Sequence, residues 1–248
     1  MAIQKGIIKI EGTVGGMTFY KTQDGHLVKE KSSISADKIA NDPAFARTRE
    51  NGAEFGEAAA AGKLIRDTFR NMMASASDNR VTSRLVSVLT TIKNFDTTSE
   101  RGERKVSNGL AVQNGQNALK DFDFNLQAKL GSILFKPLIL LPGGNIQISG
   151  LVPIQDVNAP AGATHASVTA AIAHIDFTTG GKEISISSPV NFPLNSTSLN
   201  VNLVTPPLTF NTGPEFRLFK IEFFQEVNGF QYSLKNGSFN ALSIVNVQ

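Results

Sequence analysis

The spacing of apolar positions changes character once along the chain, near residue 137. Before that point two stretches repeat apolar residues every three or four positions, the signature of helix; after it apolar and polar residues alternate, the signature of half-buried strand. The chain therefore divides on sequence into a region 1–136 and a region 137–248.

In the second region Ile146 and Ile148 alternate with Gln147 and Ser149. Ile184 and Ile186 alternate with Glu183, Ser185 and Ser187, and Leu199, Val201 and Leu203 with Asn200 and Asn202. That pattern predicts antiparallel sheet with one face in solvent. Further strands are predicted over 166–177, 216–227, 229–234 and 239–247, with turns at Pro142-Gly143-Gly144, Gly180-Gly181, Pro206-Pro207, Gly213-Pro214 and Asn228-Gly229. Short strands at near-regular spacing predict an immunoglobulin-like β-sandwich.

The first region opens on β-prone runs, Ile7 to Ile10 and Met17 to Tyr20, broken by Gly12, Gly15 and Gly16. Asp24-Gly25 then supplies a tight turn toward Leu27-Val28, which predicts an N-terminal β-hairpin. A two-stranded hairpin is marginal alone, so Ile7, Ile8, Ile10, Phe19 and Leu27 need cover from the helices, from the C-terminal sheet or from another copy. Asp42-Pro43 starts a helix, Asp42 as N-cap and Pro43 at the first position, where its missing N–H costs nothing. It is predicted to run to about Ala74 with a break near Asn51-Gly52, and Phe55, Ala58, Ala59, Gly62, Ile65, Phe69 and Met72 form its apolar face. A second helix over Asn79–Phe95 places Val81, Leu85, Val88, Leu89 and Ile92 on one stripe and completes a helical hairpin. Residues 97–108 lack periodicity and read as an exposed loop. The predicted fold class is α+β: an N-terminal β-hairpin and helical hairpin, then the antiparallel sandwich.

Charge follows the same division. Residues 1–136 hold 20 Lys/Arg against 15 Asp/Glu, and residues 137–248 hold 4 against 6, so the net +3 arises entirely in the first region. Lys63, Arg66 and Arg70 line one side of the first long helix, with Arg80 and Arg84 on the next and Arg101 to Lys105 in the loop. They suit a nucleic acid or other polyanion. Their place late in the helix, with Glu50, Glu54 and Glu57 near its start, is also the order that the helix dipole favours.

No cysteine is present, which removes thiolate metal sites and cysteine nucleophiles and fits a chain made in a reducing compartment. Lys5 and Lys9 interrupt the first apolar run, so no Sec-type signal is expected. The longest apolar stretch, Ile133 to Pro142, is far short of a membrane span and contains Lys136. A soluble chain is expected, cytoplasmic at synthesis, with export by a non-Sec route left open.

Candidate chemistry is sparse. Gly56 to Lys63 has five residues between its glycines where a P-loop has four, Leu64 where that loop needs Ser or Thr, and no strand before it. Gly12 to Gly16 lacks dinucleotide spacing, and Asp121 to Asn125 starts like a calcium loop but has Leu126 where glycine belongs. His165 and His174, nine apart on one predicted strand, point to opposite faces; His174 and Asp176 share a face but have no placed nucleophile. Asn195-Ser196-Thr197 and Asn236-Gly237-Ser238 match the glycosylation pattern without a secretory signal. No catalytic set, metal site or cofactor is expected.

Two stretches carry a resemblance: Gly12 to Lys21 (GTVGGMTFYK) and Asp42 to Gly56 (DPAFARTRENGAEFG). With them the chain resembles an uncharacterised Bacteroidota protein family that shares a GT(I/V)GGxTFYK hairpin, a DPxFxRTRENxxEFG helix start and a β-rich C-terminal half. The resemblance implies a bacterial origin and carries over no functional residue. It marks residues 12–56 as the distinctive segment, where Phe45, Arg47, Arg49, Glu50, Asn51, Glu54 and Phe55 crowd together. Charges interleaved with aromatics either interlock across an interface, where Arg is the favoured cation, or clamp the hairpin to the helix within one subunit.

The function expected from the sequence is a non-enzymatic structural protein that self-associates into a homo-oligomer or filament. Ile7, Ile10, Phe19, Tyr20, Phe45, Arg47, Arg49 and Phe55 are its contact residues and copies of itself its partners. The alternative is a polyanion-binding module using Lys63, Arg66, Arg70, Arg80 and Arg84.

Overall fold

Paired glycines set the geometry of the first unit. Gly15 and Gly16 have φ of +55° and +84°, the two positive values that a type I′ turn requires, and they reverse the chain between Val14 and Met17. A computed structural model of the protein describes residues 2–31, 34–234, 237 and 239–248, and the chain divides into two compact units, Met1–Asn51 and Gly52–Gln248. The first contains β1 (Ala2–Ile3), β2 (Gly12–Val14), β3 (Met17–Thr22) and β4 (Gly25–Glu30), antiparallel in the order β1-β4-β3-β2. β3 and β4 pair from Met17 opposite Glu30 to Thr22 opposite Gly25.

After the sheet comes α1 (Ala36–Asn41), capped by the Ser35 hydroxyl, which accepts from the Lys38 N–H at 3.2 Å. Asp42 caps the next 3-10 turn, Pro43–Phe45, accepting from the Ala44 N–H at 2.9 Å, and α2 (Ala46–Thr68) follows. None of the described residues in 2–51 is buried.

The second unit adds α3 (Arg70–Met73), α4 (Val81–Ile92), α5 (Val106–Leu110), α6 (Gln113–Leu119), β5 (Phe122–Asp123), α7 (Leu130–Ile133), β6 (Ile139–Leu140), β7 (Ile146–Leu151) and α8 (Pro153–Asp156). Then come β8 (His165–Ile175), β9 (Lys182–Ile186), β10 (Val190–Pro193), β11 (Leu199–Leu203), β12 (Glu215–Val227), β13 (Phe230–Ser233) and β14 (Ala241–Val247). A large sheet runs β10-β8-β12-β14-β5, with β9 also on β8 and β13 also on β12; β11-β7-β6 form a smaller sheet. All pairings are antiparallel.

Alternation along the central strands gives this unit three layers. On β8 Ala171, Ala173 and Ile175, and on β12 Phe216 and Leu218, pack with Ala58, Ile65, Phe69, Leu85, Leu89 and Leu110 of the helical layer. The opposite faces of the same strands, Ala166, Val168 and Ala170 with Phe219, Ile221 and Phe223, pack with Ile146, Ile148, Val201 and Leu203 of the small sheet. A strand covered on both faces is apolar at successive positions, as β8 is, and does not show the single wet face that alternation alone implies.

The structure corrects three expectations. The boundary placed at 136/137 falls at Asn51/Gly52, because the helices of 58–119 bury their apolar stripe on the large sheet and share its core. The helix break expected at Asn51-Gly52 lies instead at Phe69, where the Thr68 hydroxyl bonds back to the Leu64 carbonyl at 2.8 Å. The buried Phe69 ring there meets Phe124 and Phe216 edge-on, at 6.1 and 5.9 Å between centroids. Residues 97–108 are not a bare loop: they wrap the buried Asp96 carboxylate and then form α5.

Candidate self-association surface

Register decides which side chains of the N-terminal sheet share a face. Residues directly opposite in a ladder lie on the same side, and successive residues on opposite sides. Val14 opposes Met17, Phe19 opposes Val28, and Val28 opposes Ala2, so these five form one apolar band across all four strands. Val14 is 64% and Met17 54% exposed, while Phe19 and Val28 are half-buried. Charges close both ends of the band: Glu30 opposite Met17, and Lys21 opposite His26. The His26 Nδ1 lies 3.9 Å from the Glu11 carboxylate.

The other face carries Tyr20 and Leu27, a directly opposed pair, with the Lys29 ammonium 5.5 Å from the centre of the Tyr20 ring. Phe19 and Tyr20, expected to work together, therefore face opposite ways. Ile7 and Ile10 lie in the segment between β1 and β2; Ile7 is fully exposed and Ile10 exposed. Gln4 closes that segment, accepting from the Ile10 N–H at 3.1 Å and donating to the Leu27 carbonyl at 3.1 Å.

Among the remaining expected contact residues, Phe45 is half-buried and Arg47 exposed. Arg49 donates to the Ile39 and Asp42 carbonyls at 2.8 and 3.0 Å, which completes the C-terminus of α1. Phe55 points off the apolar face of α2 and is 57% exposed. Val14, Met17, Val28 and Lys21 were not among the contact residues expected from sequence, although the period of two through Met17, Phe19 and Lys21 is a signal that points to their face.

The basic residues of the alternative reading separate into different roles. Arg84 is engaged inside the second unit: it donates to the Asp123 and Phe124 carbonyls at 2.8 and 3.1 Å, meets Asp78 at 2.6 Å and stacks 5.1 Å above Phe122. Arg70 pairs with Asp67 at 2.6 Å, and that pairing holds the Asp67 carboxyl below its usual range. Arg66 is half-buried, and Lys63 and Arg80 are exposed. The 101–105 loop is tied inward, its Gly102 and Lys105 N–H groups donating to Glu54 and Asp96 at 2.8 and 3.0 Å.

Buried carboxylates organise this end of the helical layer. Glu54 pairs with Lys93 and also accepts from Gly102. Burial alone would raise its pKa, but the Lys93 ammonium, the Gly102 N–H and Arg104 outweigh burial and hold it below the usual value. At Asp96 burial is likewise outweighed, by donors from Lys105, Ser99 and Thr98, and the carboxyl sits far below the normal range. Glu57 goes the other way: burial pushes it up despite the Val106 N–H.

His174 meets the Gly213 carbonyl at 3.1 Å and Glu215 at 3.8 Å, whereas Asp176 caps its own turn, accepting from Thr178 and Thr179. The two are not a pair. Residues 56–63 lie inside α2, so that glycine spacing belongs to a helix. Of the second glycosylation match, Asn236 and Ser238 lie outside the described residues. Among the described residues no helix is long and apolar enough to cross a membrane. No family model, no curated protein and no solved structure matches this chain.

Proposed function

We propose that the protein is a non-enzymatic structural subunit that self-associates into a homo-oligomer or filament, through the hairpin of its N-terminal sheet and the helix start that follows. One observation carries the reading: four strands and a helix are ordered within residues 2–51, and no described side chain there is buried. Ordering a residue costs roughly 1–2 kcal/mol of backbone entropy, and burial returns about 25 cal/mol per Å² of apolar surface. A sheet that exposes Ile3, Val14 and Met17, with Ile7 and Ile8 exposed in the segment between β1 and β2, needs cover that its own side chains do not give.

A second copy is the partner always present at the chain's own concentration. The second unit, with two core clusters of its own, is the body that such contacts would join. We read that body as an immunoglobulin-like β-sandwich elaborated by helices, supported by the packing of the large sheet on the small one, and place its synthesis in the cytoplasm. The polyanion alternative is weakened by the engagement of Arg84. Light scattering of the full-length protein at tens of micromolar tests the reading. A mass that is a multiple of 26.6 kDa is expected, and 26.6 kDa at every concentration would refute it.

A further inference from the structure

We infer that two chains pack the Val14, Met17, Phe19 and Val28 face of one N-terminal sheet onto the same face of the other, about a two-fold axis running across the strands. This rests on the reading that the N-terminal sheet is an assembly surface, and it names the face, the occupant and the symmetry.

The face is favoured over the edge. The edge strands of the sheet are β1 and β2, two and three residues long, so edge pairing would add only a few backbone hydrogen bonds. It would also leave Val14 and Met17 in water. Face-to-face packing covers the whole band at once, with the two sheets about 10 Å apart.

The charges choose both the occupant and the axis. Glu30 lies at the Met17 end of the band and Lys21 at the opposite end, both exposed; the Glu11 carboxylate also lies at the Lys21 end, 3.9 Å from His26. A two-fold axis through the Phe19–Val28 row exchanges the two ends. Glu30 of each copy then lies over the Lys21 end of its mate, and the Phe19–Val28 rows meet at the centre. An axis along the strands would instead stack Glu30 over the Glu30 end and Lys21 over the Lys21 end, which like-charge repulsion opposes. The face is thus complementary to itself under one symmetry. Such a contact is isologous and closes at two subunits.

A charge-exchange experiment on the full chain tests this. K21E carries two acidic ends and E30K two basic ends, so each variant alone should dimerise with a Kd weakened by about tenfold or more. Mixed in equal amounts, the two should associate with each other at close to the wild-type Kd, because both acidic ends of the K21E chain then meet basic ends of the E30K chain. Restoration by mixing cannot come from refolding of either variant. If wild-type protein associates but the mixture is no tighter than the separate variants, the face or the axis is wrong while the assembly reading stands. If wild-type protein stays monomeric at tens of micromolar, the assembly reading itself falls.

Discussion

Glu54 of α2 and Lys93, just beyond α4, form an ion pair in which the residues are only 4% and 6% exposed. Two charges so far from water are tolerated because each finds further partners: Glu54 accepts from Gly102 and lies 3.9 Å from Arg104, and Lys93 donates to Asn94 at 3.1 Å. Removing one partner leaves the other buried and uncompensated. Glu54→Gln or Lys93→Met should each cost about 3–5 kcal/mol of unfolding free energy in urea titrations. The double variant Glu54→Leu with Lys93→Met should be more stable than either single change, since it leaves no orphan charge.

Acid should destabilise the second unit through Asp96. Its pKa is lowered on folding, from about 3.9 in an unfolded chain, so its contribution is complete above that value and is lost as pH falls toward the folded pKa. Asp78 and Glu54 shift in the same direction. Glu57 and Asp123 are raised by burial and act oppositely, regaining stability on acidification and partly offsetting the loss. Denaturation midpoints should fall below about pH 4. Asp96→Asn should be less stable at pH 7 by about 1–3 kcal/mol and show a shallower acid slope.

Glycines of similar appearance in the sequence should respond oppositely to alanine. A Cβ on Gly109 would stand 2.1 Å from the Ile92 carbonyl oxygen, and one on Gly115 1.9 Å from that of Gly109, so α5 and α6 close only because these positions are bare. Gly109→Ala should destabilise by about 2 kcal/mol or more, as overpacking against backbone does. Gly52, within α2, has nothing within 4 Å of its would-be Cβ. Gly52→Ala should therefore raise stability by up to about 1 kcal/mol, measurable as a higher thermal midpoint.

Elements with a local cause were legible in the sequence. The alternation at Ile146/Ile148 and at Leu199/Val201/Leu203 lies on β7 and β11, and Asn228-Gly229 adopts φ of +53° and +81° between β12 and β13. Asp42 and Pro43 cap and start a turn as their chemistry requires. What was not legible depends on distant partners. Nothing near Thr97–Asn108 tells that Asp96 gathers five donors from residues 98–108, because such bonds go largely to backbone amides and leave no pattern of residue types. The 136/137 boundary failed because periodicity reports the type of an element and not what it packs against. For the N-terminal surface the need for apolar cover was readable. The period of two within β3 already puts Met17 and Phe19 on one side and Tyr20 on the other; what it could not give is the cross-strand membership, since only register shows that Val14 and Val28 join that side.

Self-association through the N-terminal sheet requires that another copy of the chain cover it. Amide hydrogen exchange over residues 12–30, followed at several protein concentrations, reads that cover at the strands themselves. An uncovered sheet of this size opens readily and exchanges fast, and burial against a partner raises its opening free energy. Protection across β2, β3 and β4 should rise with concentration while α4 and β12 stay unchanged. Equal protection of residues 12–30 at low micromolar and at hundreds of micromolar protein, with the mass fixed at 26.6 kDa, would show that no second copy covers the sheet.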